Sequence, residues 1–219
     1  MRQGKAARPV RTDDLIQGLA MEAGQSRAGR LSFELVLSLG IVAAIIGAFA
    51  IVLLLAGPRP GLPLLAQSWI FQFKVIAMVL LAGGAAWLVR DAARPGAPTR
   101  LGGALAPALL FLAANVVLDR SGYPLSGARA LSVPVCVGTI VLASLPALML
   151  MLASMRRGIP TRLGRAGFFA GLLAGTLGAL AYTVACVNDG AAFVSVWYVA
   201  AILIVAGLGA VAGPRALAW

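Results

Sequence analysis

The sequence predicts an all-α polytopic membrane bundle of six transmembrane helices, preceded by a short cytoplasmic amphipathic helix. Two observations carry this. Hydrophobic residues make up 61% of the 219 positions against 11% charged, with a mean hydropathy of +0.95, a balance foreign to soluble domains. Apolar runs also recur at lengths near the roughly 20 residues that cross a bilayer core.

The runs cover residues 35–57, 69–89, 101–118, 131–155, 164–185 and 192–212, the third being the shortest. Lipid offers no partner to free backbone groups, so segments this long must be helical. Barrel strands would alternate apolar and polar residues over about ten positions, and these do not. The 18 basic residues set the orientation, because Lys and Arg at span ends stay on the cytoplasmic side. Fourteen fall in the amino-terminal segment, the second-to-third connection, the fourth-to-fifth connection and the tail. Only Arg59, Arg120 and Arg129 fall on the other side, and Lys74 lies within the second run. Both termini are therefore expected in the cytoplasm. The net charge of +11 is divided among membrane-flanking loops, which argues for topology and contact with anionic lipid rather than direct binding of nucleic acid.

No cleavable signal peptide is expected, since the first apolar run follows about 30 mixed polar residues and is too long for an h-region. Residues 1–31 are the one sizeable aqueous segment, and residues 32–219 form the transmembrane part. Within the first, a basic leader gives way at Thr12 to a helix signal. Thr12 is placed to cap, Asp13 and Asp14 occupy the first turn where negative charge suits the helix dipole, and Leu15, Ile16 and Leu19 form an apolar stripe before Gly24 and Ser26 interrupt it. So short a helix is marginal alone in water. Its stripe fits the bilayer surface or the protein's own loops, or else a groove on a cytoplasmic partner, the acidic first turn being repelled by an anionic leaflet.

The chain lacks His, which removes the commonest general base and metal ligand. The seven acids, Asp13, Asp14, Glu22, Glu34, Asp91, Asp119 and Asp189, all lie outside mid-membrane, an arrangement unlike the path of a proton-coupled transporter or channel. Lys74, about five residues into its span, is expected to snorkel to the interface, the alternative being a buried contact to a carbonyl or to Asp119 or Asp189. Asn115 and the small residues Gly171, Ala174, Gly175 and Gly178 suit helix packing.

Two cysteines form the most specific local feature. Cys136 and Cys186 each lie 25 residues from Thr161 at the apex of the hairpin between the fourth and fifth spans. They therefore share a depth, and whether they meet depends on helix rotation. Two inert buried thiols, a permanent disulfide and a reactive pair all remain open on this reading. The chain has neither a Cys-x-x-Cys motif nor the spacing of a zinc site, and no cofactor or metal is expected.

Several stretches together resemble the NrsF family: Arg11-Thr12-Asp13-Asp14-Leu15-Ile16, the pair Phe73-Lys74, Cys136 followed by Leu145-Pro146, the hairpin turn Met155-Arg156-Arg157-Gly158-Ile159-Pro160-Thr161-Arg162, and Ala185-Cys186-Val187-Asn188-Asp189 followed by Phe193 with Trp197-Tyr198. The resemblance covers nearly all of the chain after Arg11. It implies a six-span inner-membrane anti-sigma factor whose cytoplasmic segment, through Thr12, Asp13, Asp14, Leu15, Ile16 and Leu19, holds an extracytoplasmic-function sigma factor. It also implies that Cys136 and Cys186 sense oxidative or thiol-reactive metal stress, and it matches Lys74, Trp197 and Tyr198 to family positions. Two departures stand out. Val187 and Asn188 separate the second cysteine from Asp189 where relatives commonly carry Pro and an acid, and the leader before Thr12 is longer than usual. A regulator is thus expected rather than an enzyme. A small six-span transporter is the alternative, and a membrane thiol oxidoreductase fits less well because each helix offers one cysteine and no relay pair.

Overall fold

The computed structural model describes residues 12, 13, 16–18, 21, 32–96, 101–119 and 121–218. Its described helices from Phe33 onward are α1 (Phe33–Leu55), α2 (Leu62–Leu65), α3 (Trp69–Ala92), α4 (Leu101–Leu118), α5 (Ser132–Met155), α6 (Leu163–Tyr182) and α7 (Ala191–Leu217). All except the single turn α2 are long and apolar enough to cross a membrane, as a multi-pass membrane protein requires. No strand occurs among the described residues. The expected third span agrees with α4 at both ends, and the last runs five residues further than expected, through Pro214 to Leu217.

Successive long helices run antiparallel, giving the bundle two distinct ends. One carries Arg90, Arg94, Arg156, Arg157, Arg162, Arg165 and Arg215 and is termed the basic end. The other carries Cys186 and is termed the cysteine end.

The most enclosed helix is α6, which packs against α1, α3, α5 and α7. Its composition explains this. Gly167, Gly171 and Gly175 repeat every fourth residue and form one face, on which α7 lies so closely that a Cβ at Gly171 would strike Val205 O and lie 2.7 Å from Ala206 Cα. From α7, Gly209 and Gly213 answer in the same way, Gly213 seating on Leu163 O. Apolar side chains gain little from leaving lipid for protein, so close backbone approach at small residues supplies the association. Gly178 turns the next face of α6 to Ser144 and Ile140 of α5. The packing role expected of Gly171, Gly175 and Gly178 is observed, and Gly167, Gly209 and Gly213 extend it. By contrast α4 lies at the periphery, against α3 and α7. Asn115 on α4 donates to Phe111 O of its own helix at 2.8 Å.

At the basic end the hairpin turn docks on α3. The Ile159 amide donates to Ala93 O at 3.1 Å, and Gly158 lies so near that a Cβ there would sit 2.8 Å from Ala93 Cβ. Arg156 Nε donates to Ala216 O at 2.7 Å. Glu34, in the first turn of α1, accepts from Arg90 Nε at 2.8 Å and Arg94 Nη2 at 3.2 Å.

Ahead of Phe33, the described residues Thr12, Asp13, Ile16, Gln17, Gly18 and Met21 are helical, with Ile16 and Met21 exposed. Thr12 is itself helical rather than a cap, a shift within the usual uncertainty of helix ends. Asp14, Leu15 and Leu19 lie outside the described residues.

Candidate functional site

The cysteine end is organised around residues 183–190, the loop joining α6 to α7. Regular helix stops at Tyr182, after which the Ala185 and Cys186 amides both turn back to Tyr182 O, at 3.1 and 3.0 Å. Cys186 therefore sits on a turn past the helix and not within its last residues. That turn brings its sulfur beside Cys136, one turn inside α5, close enough for the two free thiols to interact. The shared depth read from the hairpin is thus real contact. Both are sealed from solvent, Cys136 at 0% and Cys186 at 1% exposure. Cys186 Sγ also lies 3.7 Å from Asn188 O.

Several neighbouring elements fasten this loop. Arg59, between α1 and α2, donates its amide to Val184 O at 3.0 Å and its guanidinium to Cys186 O at 3.3 Å. It also forms a two-pronged bridge to Asp189, at 2.8 and 2.7 Å. From α3, Lys74 Nζ reaches Asp189 Oδ1 at 3.0 Å. The Asn188 carboxamide oxygen accepts from Tyr123 Oη at 3.2 Å and the Ala128 amide at 3.1 Å. Just beyond, Asp119 Oδ2 accepts the Ala191 and Ala192 amides at 2.8 and 3.4 Å, capping α7 from the end of α4 where free N–H groups attract an anion.

Lys74 does not snorkel. Its side chain is 1% exposed, and the Asp189 carboxylate compensates the desolvation that the interface would otherwise have relieved. Asp189 takes two cations at once. Burial raises its carboxyl, but the Arg59 hydrogen bonds and the Lys74 charge outweigh that and hold it below the usual range. Asp119 is likewise held low, chiefly by its hydrogen bonds with Ser121, which outweigh the opposing effect of burial, the α7 amides adding to the lowering. The Cys186 thiol is drawn down by the hydrogen bond from Cys136, burial opposing and the Lys74 ammonium adding to the lowering.

The aromatic pair divides. Trp197 Nε1 donates to Leu125 O at 2.8 Å, tying α7 to the preceding loop. Tyr198 is completely buried, packs against Tyr182 with ring centroids 6.0 Å apart and planes tilted by 51°, and has its hydroxyl near Cys186 without meeting hydrogen-bond geometry. A cavity of about 460 Å³ bordered by Ser132, Val135, Tyr182, Val187 and Asn188 lies against the residues flanking both cysteines. No group of three or more metal-ligating side chains occurs among the described residues. The arrangement suits thiol chemistry on a pair held under positive charge.

The structure thus brings Cys136, Cys186, Lys74 and Tyr198 together, while Trp197 serves the loop at Leu125 instead. Sequence reasoning missed Arg59, Asn188 and the capping role of Asp119. Arg59 had a legible signal, as one of three basic residues on the side where positive charge is otherwise scarce.

Residues 19–219 match the family described as negative regulator of sigma F, NrsF. The chain belongs to the NrsF family. It is 35% identical to the probable anti-sigma-F factor NrsF of Azospira oryzae, and 32% identical to the anti-sigma-F factor NrsF of Caulobacter vibrioides. Each alignment covers 96% of this chain and 100% of the relative. No solved structure matches the chain. Membership in NrsF makes the chain a negative regulator of a sigma factor, so a sigma factor is its partner, and the family is one of regulators rather than catalysts.

Proposed function

We propose that the chain is a redox-controlled anti-sigma factor of the bacterial inner membrane, holding an extracytoplasmic-function sigma factor through residues 1–31 and governed by residues 32–219. Both termini and the basic end face the cytoplasm, and the cysteine end faces the periplasm. The division of basic residues, fourteen against three, supports this orientation. Thr12, Asp13, Asp14, Leu15, Ile16 and Leu19 form the sigma-binding helix, the apolar stripe filling a groove on the partner.

The observation that carries the sensing role is the meeting of Cys136 and Cys186, fifty positions apart, as free thiols at the end away from the basic loops. Oxidative or thiol-reactive metal stress modifies the pair and thereby frees the sigma factor. A permanent staple is the less suitable reading for two free thiols bordered by a cavity. A transporter would gather polar groups of several spans at mid-membrane. Here the buried hydroxyls Ser144 and Thr176 bond to carbonyls of their own helices, Ile140 O and Leu173 O, and the charged cluster lies at one end.

Replacing Cys136 and Cys186 by Ser, singly and together, tests the proposal through a sigma-dependent promoter with and without oxidant or a thiol-binding metal. Loss of induction at normal protein level supports sensing, and normal induction in the double variant leaves the pair a structural role.

A further inference from the structure

The charge count around the thiols does not close. Lys74 and Arg59 bring two positive charges to Asp189, which brings one negative. Arg59 already satisfies that carboxylate with two short bonds and is partly open to solvent, so its charge is screened. Lys74 is not screened. Its ammonium is sealed inside the protein with three protons to donate, and Asp189 Oδ1, shared with Arg59, is its hydrogen-bond acceptor. Among the described residues, the buried Tyr198 hydroxyl has no hydrogen-bond partner. A buried cation in excess and a buried donor without an acceptor, both beside Cys186, call for one more negative acceptor there.

We infer that Cys186 carries that charge as a thiolate, with Lys74 as its counter-ion and the Cys136 thiol and Tyr198 hydroxyl as its hydrogen-bond donors. Among the described residues, the other ionisable or charged groups facing the pair are Tyr182 from α6, and Arg59, Tyr123 and Asp189 from the loops. Lys74 is thus a positioning residue for thiol chemistry, a role that rests on the sensing function proposed above.

The chemistry follows from the balance of charge. With a peroxide as oxidant, the Cys186 thiolate attacks one peroxide oxygen and hydroxide leaves, giving a sulfenic acid. The Cys136 thiol then displaces that oxygen as water, so one thiolate, one thiol and one peroxide become a disulfide, water and hydroxide. The sulfur pair loses its negative charge, and the excess positive charge of Lys74 is left uncompensated. Lys74 lies on α3, whose far end, about 28 Å away at 1.5 Å per residue, accepts the hairpin turn at Ala93. The counter-charge is therefore lost beside the same helix on whose far end the hairpin turn docks.

The test is the pH dependence of Cys186 alkylation by iodoacetamide in the full chain in lipid nanodiscs, read by mass spectrometry of the Cys186 peptide. The wild type should titrate below the free-thiol value of about 8.5. Lys74→Met should raise the midpoint by at least about one unit, which cuts the rate about tenfold or more at pH values well below both midpoints, and Lys74→Arg should restore most of it. A Lys74→Met profile that superimposes on the wild type overturns the inference. Should that variant fail to fold, Tyr198→Phe, which removes only one oxygen, decides the matter: a raised midpoint supports the thiolate and an unchanged one overturns it. A shifted profile alongside normal induction in the double-cysteine variant would contradict the sensing function alone. An unshifted profile alongside lost induction would contradict only the role of Lys74.

Discussion

Lys74 Nζ, buried on α3, lies 3.0 Å from Asp189 Oδ1, three residues past Cys186 in the loop between α6 and α7. This bond joins the second long helix of the chain to the loop that carries the second cysteine. Removing one partner of such a pair costs far more than removing both, because the survivor is left charged in a poor solvent.

The first prediction concerns that asymmetry. Asp189→Asn should destabilise the full chain by about 3 kcal/mol, the lower part of the range for a buried pair, since Asp189 is partly exposed. Adding Lys74→Met should recover part of the loss. Unfolding of detergent-solubilised protein by SDS titration measures both. The pH dependence has a definite sign. Because the Asp189 carboxyl is held below its ordinary value, its contribution is complete above about pH 4 and disappears as pH falls through the folded-state value. The gap between wild type and Asp189→Asn should accordingly narrow in acid.

The second prediction addresses the α6–α7 seam. Gly171→Ala places a Cβ against Val205 O and the Ala206 backbone, so the helices must separate, at a cost of about 1–3 kcal/mol typical of overpacking. Gly207→Ala on the same helix as Val205 meets none of the described residues within 4 Å and should be neutral. The yield of monodisperse protein after extraction compares them, and equal yields would contradict the close approach of α6 and α7.

Much of this architecture was legible in the sequence because a membrane span is encoded in length and hydropathy alone. Trp69 and Leu101 begin helices where the composition changes, and Leu118 ends one. The shared depth of Cys136 and Cys186 was legible for the same reason, since counting residues from a hairpin apex measures height. What counting cannot give is rotation about the helix axis. Rotation decides whether Lys74 turns toward lipid headgroups or inward to Asp189, and the expectation that it would snorkel failed on that point. The loop geometry was hidden as well, since Asn188 and Arg59 act through contacts 60 to 130 positions apart.

The third prediction is topological. A reporter active only in the cytoplasm should function when fused after Trp219 or within residues 94–100, and fail near Gly122. Activity at Gly122 would remove the proposed orientation.

The fourth concerns the partner. Leu15→Ala with Leu19→Ala should weaken sigma capture by about 2 kcal/mol, roughly thirtyfold, as loss of buried anchors does, while membrane insertion stays normal. Undiminished capture would move the interface elsewhere, for example to the loop 156–165.

Control by the thiols is best tested by capture itself. The full chain in nanodiscs, loaded with the sigma factor it sequesters, is treated with peroxide, and the fraction of sigma factor retained is measured for the wild type and for Cys136→Ser/Cys186→Ser. Near-complete release, from 99:1 bound to 1:99, requires the oxidised state to bind about 10⁴-fold more weakly, so even partial release reports a coupled site. The wild type should lose sigma factor on oxidation while the double variant keeps it. Equal retention, or equal loss, in the two proteins would contradict control of the sigma factor by Cys136 and Cys186.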